Sequence, residues 1–278
     1  MNELMTIFYS LVAAASWGAG DFSGGLATKR ISVFSVVIVS QMVGLLIFVL
    51  LAIFVEGGVP ALDDMMWGGM AGVFGGTGLL ALYYGLSQGR MGVVAPVSAV
   101  VMSIVPVIVG MLAEGFPGTQ RVAGFGFALL AVWFVSRTDQ GKIRFHELKL
   151  PILAGMGFGL CLIFIDRAGE TFIFWPLAAF RIASVSIIFI IATITRQSRT
   201  PAAGQLPLIV LVGFFDAVGT TCFILATQSG RLDIAAILSA LYPAATVLLA
   251  WLILKEKINR QQWLGVLFAL LAIVLIAA

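Results

Sequence analysis

The feature that most constrains this chain is a series of apolar runs, each about 20 residues long, which short charged loops separate. A run of this length suffices for an α-helix to cross the hydrocarbon core of a bilayer. Charged residues make up only 10% of the chain, against roughly 25% in ordinary soluble domains. Because the runs lack the period-2 alternation of a membrane β-barrel, the sequence predicts an all-α membrane protein.

Breaks at charged residues, prolines and glycines divide the chain into ten candidate transmembrane helices. These cover approximately residues 4–27, 32–55, 65–87, 92–113, 119–136, 150–168, 174–195, 207–229, 233–254 and 260–277. The longest connection runs from Arg137 to Lys149 and contains no hydrophobic run. We therefore predict two five-helix domains, over residues 1–138 and 150–278, joined by a linker over 139–149.

The two predicted domains are related by an internal repeat. A shift of 141 residues places Phe127–Ala131 on Phe268–Ala272, and both segments read FALLA. The same shift aligns Gly124 with Gly265. Because five is an odd number of spans, the second half must be inserted upside down relative to the first. Inverted repeats of this kind are typical of secondary transporters, whose substrate site lies near the bilayer midplane between the halves.

The distribution of basic residues predicts the orientation of the chain. Without Arg181, which lies inside a span, twelve Lys and Arg residues fall on one side of the predicted membrane and three on the other. The positive-inside rule puts the richer side in the cytoplasm. The linker is then cytoplasmic, both termini lie outside, and the protein is a multi-pass component of the inner (plasma) membrane.

Three ionisable residues stand out because they lie well inside the apolar spans: Asp21, Arg181 and Asp216. Such residues are costly in a bilayer and usually face a cavity or a partner. Asp21 and Asp216 are candidates for proton coupling, with a structural buried polar group as the alternative. Arg181 is a candidate for holding a substrate carboxylate or phosphate through its planar fork, or for anchoring the helix in the outer headgroups.

Polar and aromatic residues share faces of particular helices and are candidates for substrate binding. Trp17 and Thr220 each lie one turn from an acidic residue, Tyr84 and Gln88 share a face of the third helix, and Tyr242 lies in the ninth. The alternative for such stripes is hydrogen bonding between helices. The fifth and tenth helices contain no internal polar side chain. We therefore expect the other eight to surround a cavity, and these two to face lipid or a second copy in a homodimer.

The order of several short motifs resembles the EamA type of the drug/metabolite transporter superfamily over essentially the whole chain. The matching residues are Trp17-Gly18 in the first helix, Ala179-Phe180-Arg181 in the seventh, and Pro243, Glu256, Gln262 and Gly265 near the end. The first half departs from this pattern, because Val101 stands where a proline is expected. The resemblance implies a secondary carrier with a central cavity and alternating access. It leaves open substrates that range over amino acids, sugars, nucleotide sugars and drugs.

Several other functions lack the residues that they need. No GxxxxGK[ST] loop occurs, which excludes an ATP-driven pump, and the single histidine, His146, lies in a polar loop without a metal-ligand or catalytic cluster. We expect no enzymatic activity, no metal, no cofactor and no nucleic-acid partner.

The leading hypothesis is a secondary active transporter of small metabolites such as amino acids or related organic solutes. Export is the preferred direction and proton coupling one option. The alternatives are a lipid-linked or multidrug flippase or exporter and a non-transporting membrane scaffold.

Overall fold

The computed structural model describes residues 3–58, 60–87, 91–135, 148–168, 172–198, 203–255 and 259–277. Within them the chain forms eleven α-helices: α1 Glu3–Thr28, α2 Val33–Leu51, α3 Leu62–Ser87, α4 Met91–Glu114, α5 Thr119–Val135, α6 Lys149–Ala168, α7 Phe174–Ile194, α8 Leu206–Ser229, α9 Leu232–Ser239, α10 Tyr242–Leu254 and α11 Arg260–Ala277. A π-helical turn, Ala52–Glu56, extends α2, and a 3₁₀ turn, Ala203–Gln205, precedes α8.

These helices form ten spans because α9 and α10 together make one. Seven spans in the described part of the chain are long and apolar enough to cross a membrane, among them Leu232–Leu254, which contains both α9 and α10. The fifth and tenth spans are shorter apolar helices, and α1 has 26 residues. The prediction of an all-α membrane protein with ten helices in two inverted repeats is confirmed.

The ninth span breaks at Ala240 and Leu241 because Pro243 has no backbone N–H to continue the helical ladder. The N–H of Leu241 bonds to the carbonyl oxygen of Leu238 at 3.2 Å, and that of Ala244 bonds to Leu241 at 2.9 Å. These tighter bonds lie between the end of α9 at Ser239 and the first turn of α10, which begins at Tyr242. The break places Tyr242 at the first residue of α10, in the middle of the span.

The packing of helices follows the inverted repeat. Helix α1 packs against α8, and its counterpart α6 packs against α3, the counterpart of α8. The contact of α4 with α6 corresponds to that of α9 and α10 with α1. The contact of α3 with α7 corresponds to that of α8 with α2. The three remaining major contacts, α2 with α7, α4 with α9 and α5 with α11, join equivalent helices of the two halves. The halves are therefore interleaved around a pseudo-two-fold axis.

Glycines 141 residues apart make two equivalent helix crossings possible. A Cβ atom at Gly72 of α3 would overlap the carbonyl oxygen of Phe180 of α7. At the repeat-related position, a Cβ atom at Gly213 of α8 would overlap the carbonyl oxygen of Ser40 of α2. Only glycine allows backbones to approach this closely. These crossings pack α3 closely against α7 and α8 closely against α2.

Carboxylates from the first half hold the starts of two helices of the second half. Glu56 accepts hydrogen bonds from the backbone N–H groups of Ile173, Phe174 and Trp175 at 2.5, 2.8 and 3.2 Å. Glu114 accepts the first free N–H of α9 at 3.2 Å. Acidic groups at helix N-termini satisfy unpaired N–H groups and oppose the positive end of the helix dipole. Both contacts join the two halves on the side of the molecule where α1 begins.

Helices α5 and α11 pack together at the periphery. The Phe268 ring lies 5.7 Å from that of Phe127 and 5.3 Å from that of Phe134, measured between centroids. Large apolar side chains such as Leu267 and Leu270 are exposed on the outer face of this pair. That face is suited to contact with lipid tails.

Candidate substrate cavity

A cavity lies between the two halves. Its empty volume is about 720 Å³, a figure that includes the space open to its surroundings. The lining residues come from α1 to α4, α6 to α8 and α10, and none of those described comes from α5 or α11. The distribution of polar side chains in the sequence predicted this set of spans.

The lining itself obeys the repeat. Six pairs of cavity residues are separated by 141 positions, namely Trp17 and Phe158, Gly20 and Cys161, Asp21 and Leu162, Gly75 and Asp216, Leu79 and Thr220, and Leu82 and Phe223. The members on α1 and α8 form what we call the polar wall, and the members on α3 and α6 form the apolar wall. Asp21, Asp216 and Thr220 on the polar wall correspond to leucine or glycine on the apolar wall. The backbone is pseudo-symmetric, but the chemistry of the cavity is one-sided.

Arg181 of α7 is the centre of a hydrogen-bonded cluster in the cavity wall. Its Nη1 donates to Asp216 Oδ2 at 2.5 Å and to Gln41 Oε1 at 2.6 Å, and its Nη2 donates to Thr220 Oγ1 at 3.3 Å. Gln41 Nε2 donates to the same Asp216 oxygen at 3.0 Å. Because Arg181 is only 1% exposed, the alternative of an anchor in the outer headgroups is wrong.

One face of α2 is shaped to hold this guanidinium group. Gln41, Gly44 and Phe48 share the face, and a Cβ atom at Gly44 would lie 2.9 Å from Arg181 Nε. The Phe48 ring lies 5.3 Å from Arg181 Cζ and the Phe180 ring 4.7 Å, both within cation–π range. Arg181 Nε has no hydrogen-bond partner in the described structure. The first half thus supplies the side chains that position the ion pair of the second.

Asp21 differs from Asp216 in lacking a partner. It lines the cavity one helical turn after Trp17, and among the described residues no side chain or backbone group forms a hydrogen bond or ion pair with its carboxylate. The Trp17 ring packs 5.8 Å from the Phe223 ring and lies against Gly219, where a side chain would collide with it. Trp17 is therefore fixed beside a carboxylate that is available to a ligand.

Two tyrosines complete the lining. The hydroxyl of Tyr242 donates to the carbonyl oxygen of Ala95 at 3.1 Å and lies 3.0 Å from Ser98 Oγ. The hydroxyl of Tyr83 lies 3.5 Å from the carbonyl oxygen of Gly20. These contacts join α10 to α4 and α3 to α1.

The structure brings together six of the residues that the sequence analysis selected: Trp17, Asp21, Arg181, Asp216, Thr220 and Tyr242. Tyr84 was misplaced, because its side chain is 47% exposed and the cavity side of α3 is formed by Leu79, Leu82 and Tyr83. The polar stripe on this helix was assigned to the wrong face. Gln88 lies outside the described residues.

Gln41 and Gly44 were missed by the sequence analysis. The available signal was a glutamine inside a second span whose other polar side chains are all serines, followed one turn later by a glycine. Of the described residues, no group of three His, Cys, Asp or Glu side chains is arranged to hold a metal ion.

Comparisons with known proteins address the family and the fold. The profile of the EamA-like transporter family matches residues 4–137 and again residues 148–278. A solved structure described only as a crystal structure of a protein resembles the chain with a TM-score of 0.82 and 13% identity, covering 98% of each chain. No curated protein sequence matches significantly. Since the two profile matches cover both halves, the chain belongs to the EamA-like transporter family.

Proposed function

We propose that this protein is a secondary active transporter of small organic solutes that works by alternating access. The observation that carries the proposal is the central cavity, which both halves line with residues 141 positions apart. In an inverted-repeat transporter, rocking of one half against the other exposes such a site to each side in turn.

Proton coupling is assigned to Asp21 in this proposal. The charged and titratable groups around it in the cavity are Asp216, Arg181, Tyr83, Tyr242 and Cys161. The charge of Asp216 is already balanced by Arg181, whereas the carboxylate of Asp21 has no partner among the described residues. A carboxylate without a counter-charge in a low-dielectric site is the group whose charge a proton or a bound solute must balance.

The remaining predicted roles form one scheme. Trp17, Thr220 and Tyr242 contact the solute, while Arg181 holds Asp216 and α2 in place at the edge of the site. Tyr84 has no place in this scheme, because its side chain is exposed. The scheme makes Asp216 a positioning residue, whereas Asp21 carries the proton.

Topology and assembly remain predictions. We expect both termini outside, the 139–149 linker in the cytoplasm, and export as the physiological direction. A homodimer through the fifth and tenth spans would use the exposed outer face of α5 and α11. Accessibility of terminal tags in intact cells tests the orientation, and light scattering of the detergent-solubilised protein tests the dimer.

The experiment for the proposed function is flux into sealed proteoliposomes. A mixed pool of isotopically labelled metabolites is supplied with and without a pH gradient. The proteins compared are wild type, Asp21→Asn and a control, Glu3→Gln, which removes one carboxylate at the exposed start of α1. We expect gradient-driven accumulation of a restricted set of solutes by wild type and Glu3→Gln, and equilibration without accumulation by Asp21→Asn. Absence of flux above empty liposomes would refute the transporter proposal, and gradient-driven accumulation by Asp21→Asn would refute the assignment of the proton.

A further inference from the structure

The charges that line the cavity do not cancel. Asp21, Asp216 and Arg181 are the charged residues in the described lining. Arg181 pairs with Asp216 at 2.5 Å, so this pair contributes no net charge. When it is ionised, the carboxylate of Asp21 therefore gives the cavity one uncompensated negative charge, on the polar wall.

Arg181 is not available to balance a charge on the solute. Both of its terminal nitrogens donate hydrogen bonds within the protein, and its Nε lies against the backbone of α2 at Gly44. A solute carboxylate would have to displace Asp216 from Arg181, which would leave a second carboxylate without a partner. It would also enter a cavity that already holds the negative charge of Asp21. Both effects disfavour an anion.

The surroundings of Asp21 suit a cation attached to an apolar body. Trp17 lies one turn away on the same helix and offers the best aromatic surface for a cation. The facing apolar wall presents Leu79, Leu82, Phe158 and Leu162, which provide no charge and little hydrogen bonding. A solute that places its charge at Asp21 directs the rest of its structure towards this wall.

We infer that the cavity selects amphipathic solutes with a protonated nitrogen on an apolar body, the nitrogen at Asp21 and the body against the apolar wall. This inference rests on the proposed function and names the class of solute that the transporter carries. The contacts that distinguish it are electrostatic, so it predicts an order of affinities among molecules of similar shape.

The test compares four probes built on the same phenyl group: 2-phenylethylamine, phenylalanine, 3-phenylpropionate and the neutral 2-phenylethanol, which matches the chain length of the amine. Their binding to the purified full-length protein in detergent is measured by isothermal titration calorimetry. We expect the amine to bind roughly tenfold or more tightly than the alcohol, because a hydrogen bond to a charged group in a partly desolvated site is worth about that factor. Phenylalanine should bind more weakly than the amine, and 3-phenylpropionate should bind most weakly.

Two variants separate the charge from the apolar contact. Asp21→Asn should remove the preference for the amine while the alcohol still binds, which also shows that the variant is folded. Leu162→Phe, at the repeat-related position on the apolar wall, should weaken the amine and the alcohol alike. If Asp21→Asn binds no probe, Asp21→Glu replaces it in the test. This variant keeps the negative charge, so the inference requires that it still bind the amine more tightly than the alcohol.

Several results would overturn the inference: 3-phenylpropionate or phenylalanine binding as tightly as the amine, equal affinity for amine and alcohol in wild type, or no binding of any probe. These equilibria do not depend on transport. Selective binding of the amine without flux in proteoliposomes would refute the proposed function and leave the charge selectivity standing. Flux of anionic solutes by a protein that has no affinity for amines would refute the charge selectivity and leave the proposed function standing.

Discussion

Removing the carboxylate of Asp216 should destabilise the protein, because it leaves the guanidinium group of Arg181 buried without a counter-charge. Loss of one partner of a buried ion pair costs about 3–5 kcal/mol. The Asp216 side chain is 23% exposed, so partial hydration places the expected cost near the lower limit, about 3 kcal/mol. At roughly 2–4 °C per kcal/mol for a chain of this size, Asp216→Ala should lower the unfolding midpoint by about 6–12 °C.

The assay is thermal unfolding in detergent micelles, followed by the fluorescence of the six tryptophans. The matched control is the double variant Arg181→Met with Asp216→Ala, which removes both charges. Replacement of a buried ion pair by apolar groups is often close to neutral, so the double variant should recover most of the lost stability. An unchanged midpoint for Asp216→Ala, or a double variant less stable than the single one, would refute the view that this ion pair is buried and mutually dependent.

Three further predictions concern packing, a helix start and the misplaced tyrosine. Gly72→Ala should lower the yield of folded protein severalfold, because the new methyl group would overlap the backbone of Phe180. The control is Gly126→Ala, which should leave the yield unchanged because a Cβ atom there meets nothing within 4 Å. Size-exclusion chromatography measures both yields. Glu56→Ala should lower the free energy of unfolding by about 1–2 kcal/mol, because the N–H groups at the start of α7 lose their acceptor. The thermal unfolding midpoint should fall accordingly, and an unchanged midpoint would show that water replaces the carboxylate there. Tyr84→Ala should leave the calorimetric affinity for 2-phenylethylamine within about twofold of wild type, because its side chain is outside the cavity, and a loss of tenfold or more would contradict that placement.

The sequence predicted the spans and their repeat because these depend on local properties. Apolar run length and the position of charged loops are sufficient to locate helices in a bilayer, and the FALLA segments at 127–131 and 268–272 exposed the repeat directly. The missing N–H of Pro243 allows the break in the ninth span but does not by itself predict it, because α4 runs unbroken through Pro96 and Pro106. The residues in the middle of apolar spans, Asp21, Arg181 and Asp216, were identified from their cost in lipid.

The pairing of those residues required the fold. Arg181 and Asp216 are 35 positions apart, and only the interleaving of α2, α7 and α8 brings both to Gln41. The rotation of a helix about its axis is also set by its neighbours. Tyr83 and Tyr84 are adjacent in sequence, in a helix that is apolar on most sides. The positions of the polar residues in α3 therefore do not show which of the two tyrosines faces the cavity.

Counterflow tests the central claim most directly, namely that the solute crosses the membrane through a cavity opened to one side at a time. Proteoliposomes are loaded with an unlabelled excess of the solute that accumulates best in the flux assay, and a trace of labelled solute is added outside without a pH gradient. A carrier with alternating access predicts a transient rise of internal label above its equilibrium value, because unlabelled solute competes for the inward-facing site and slows the exit of label. A monotonic rise to equilibrium would indicate a channel, and either that result or the absence of uptake would contradict the account.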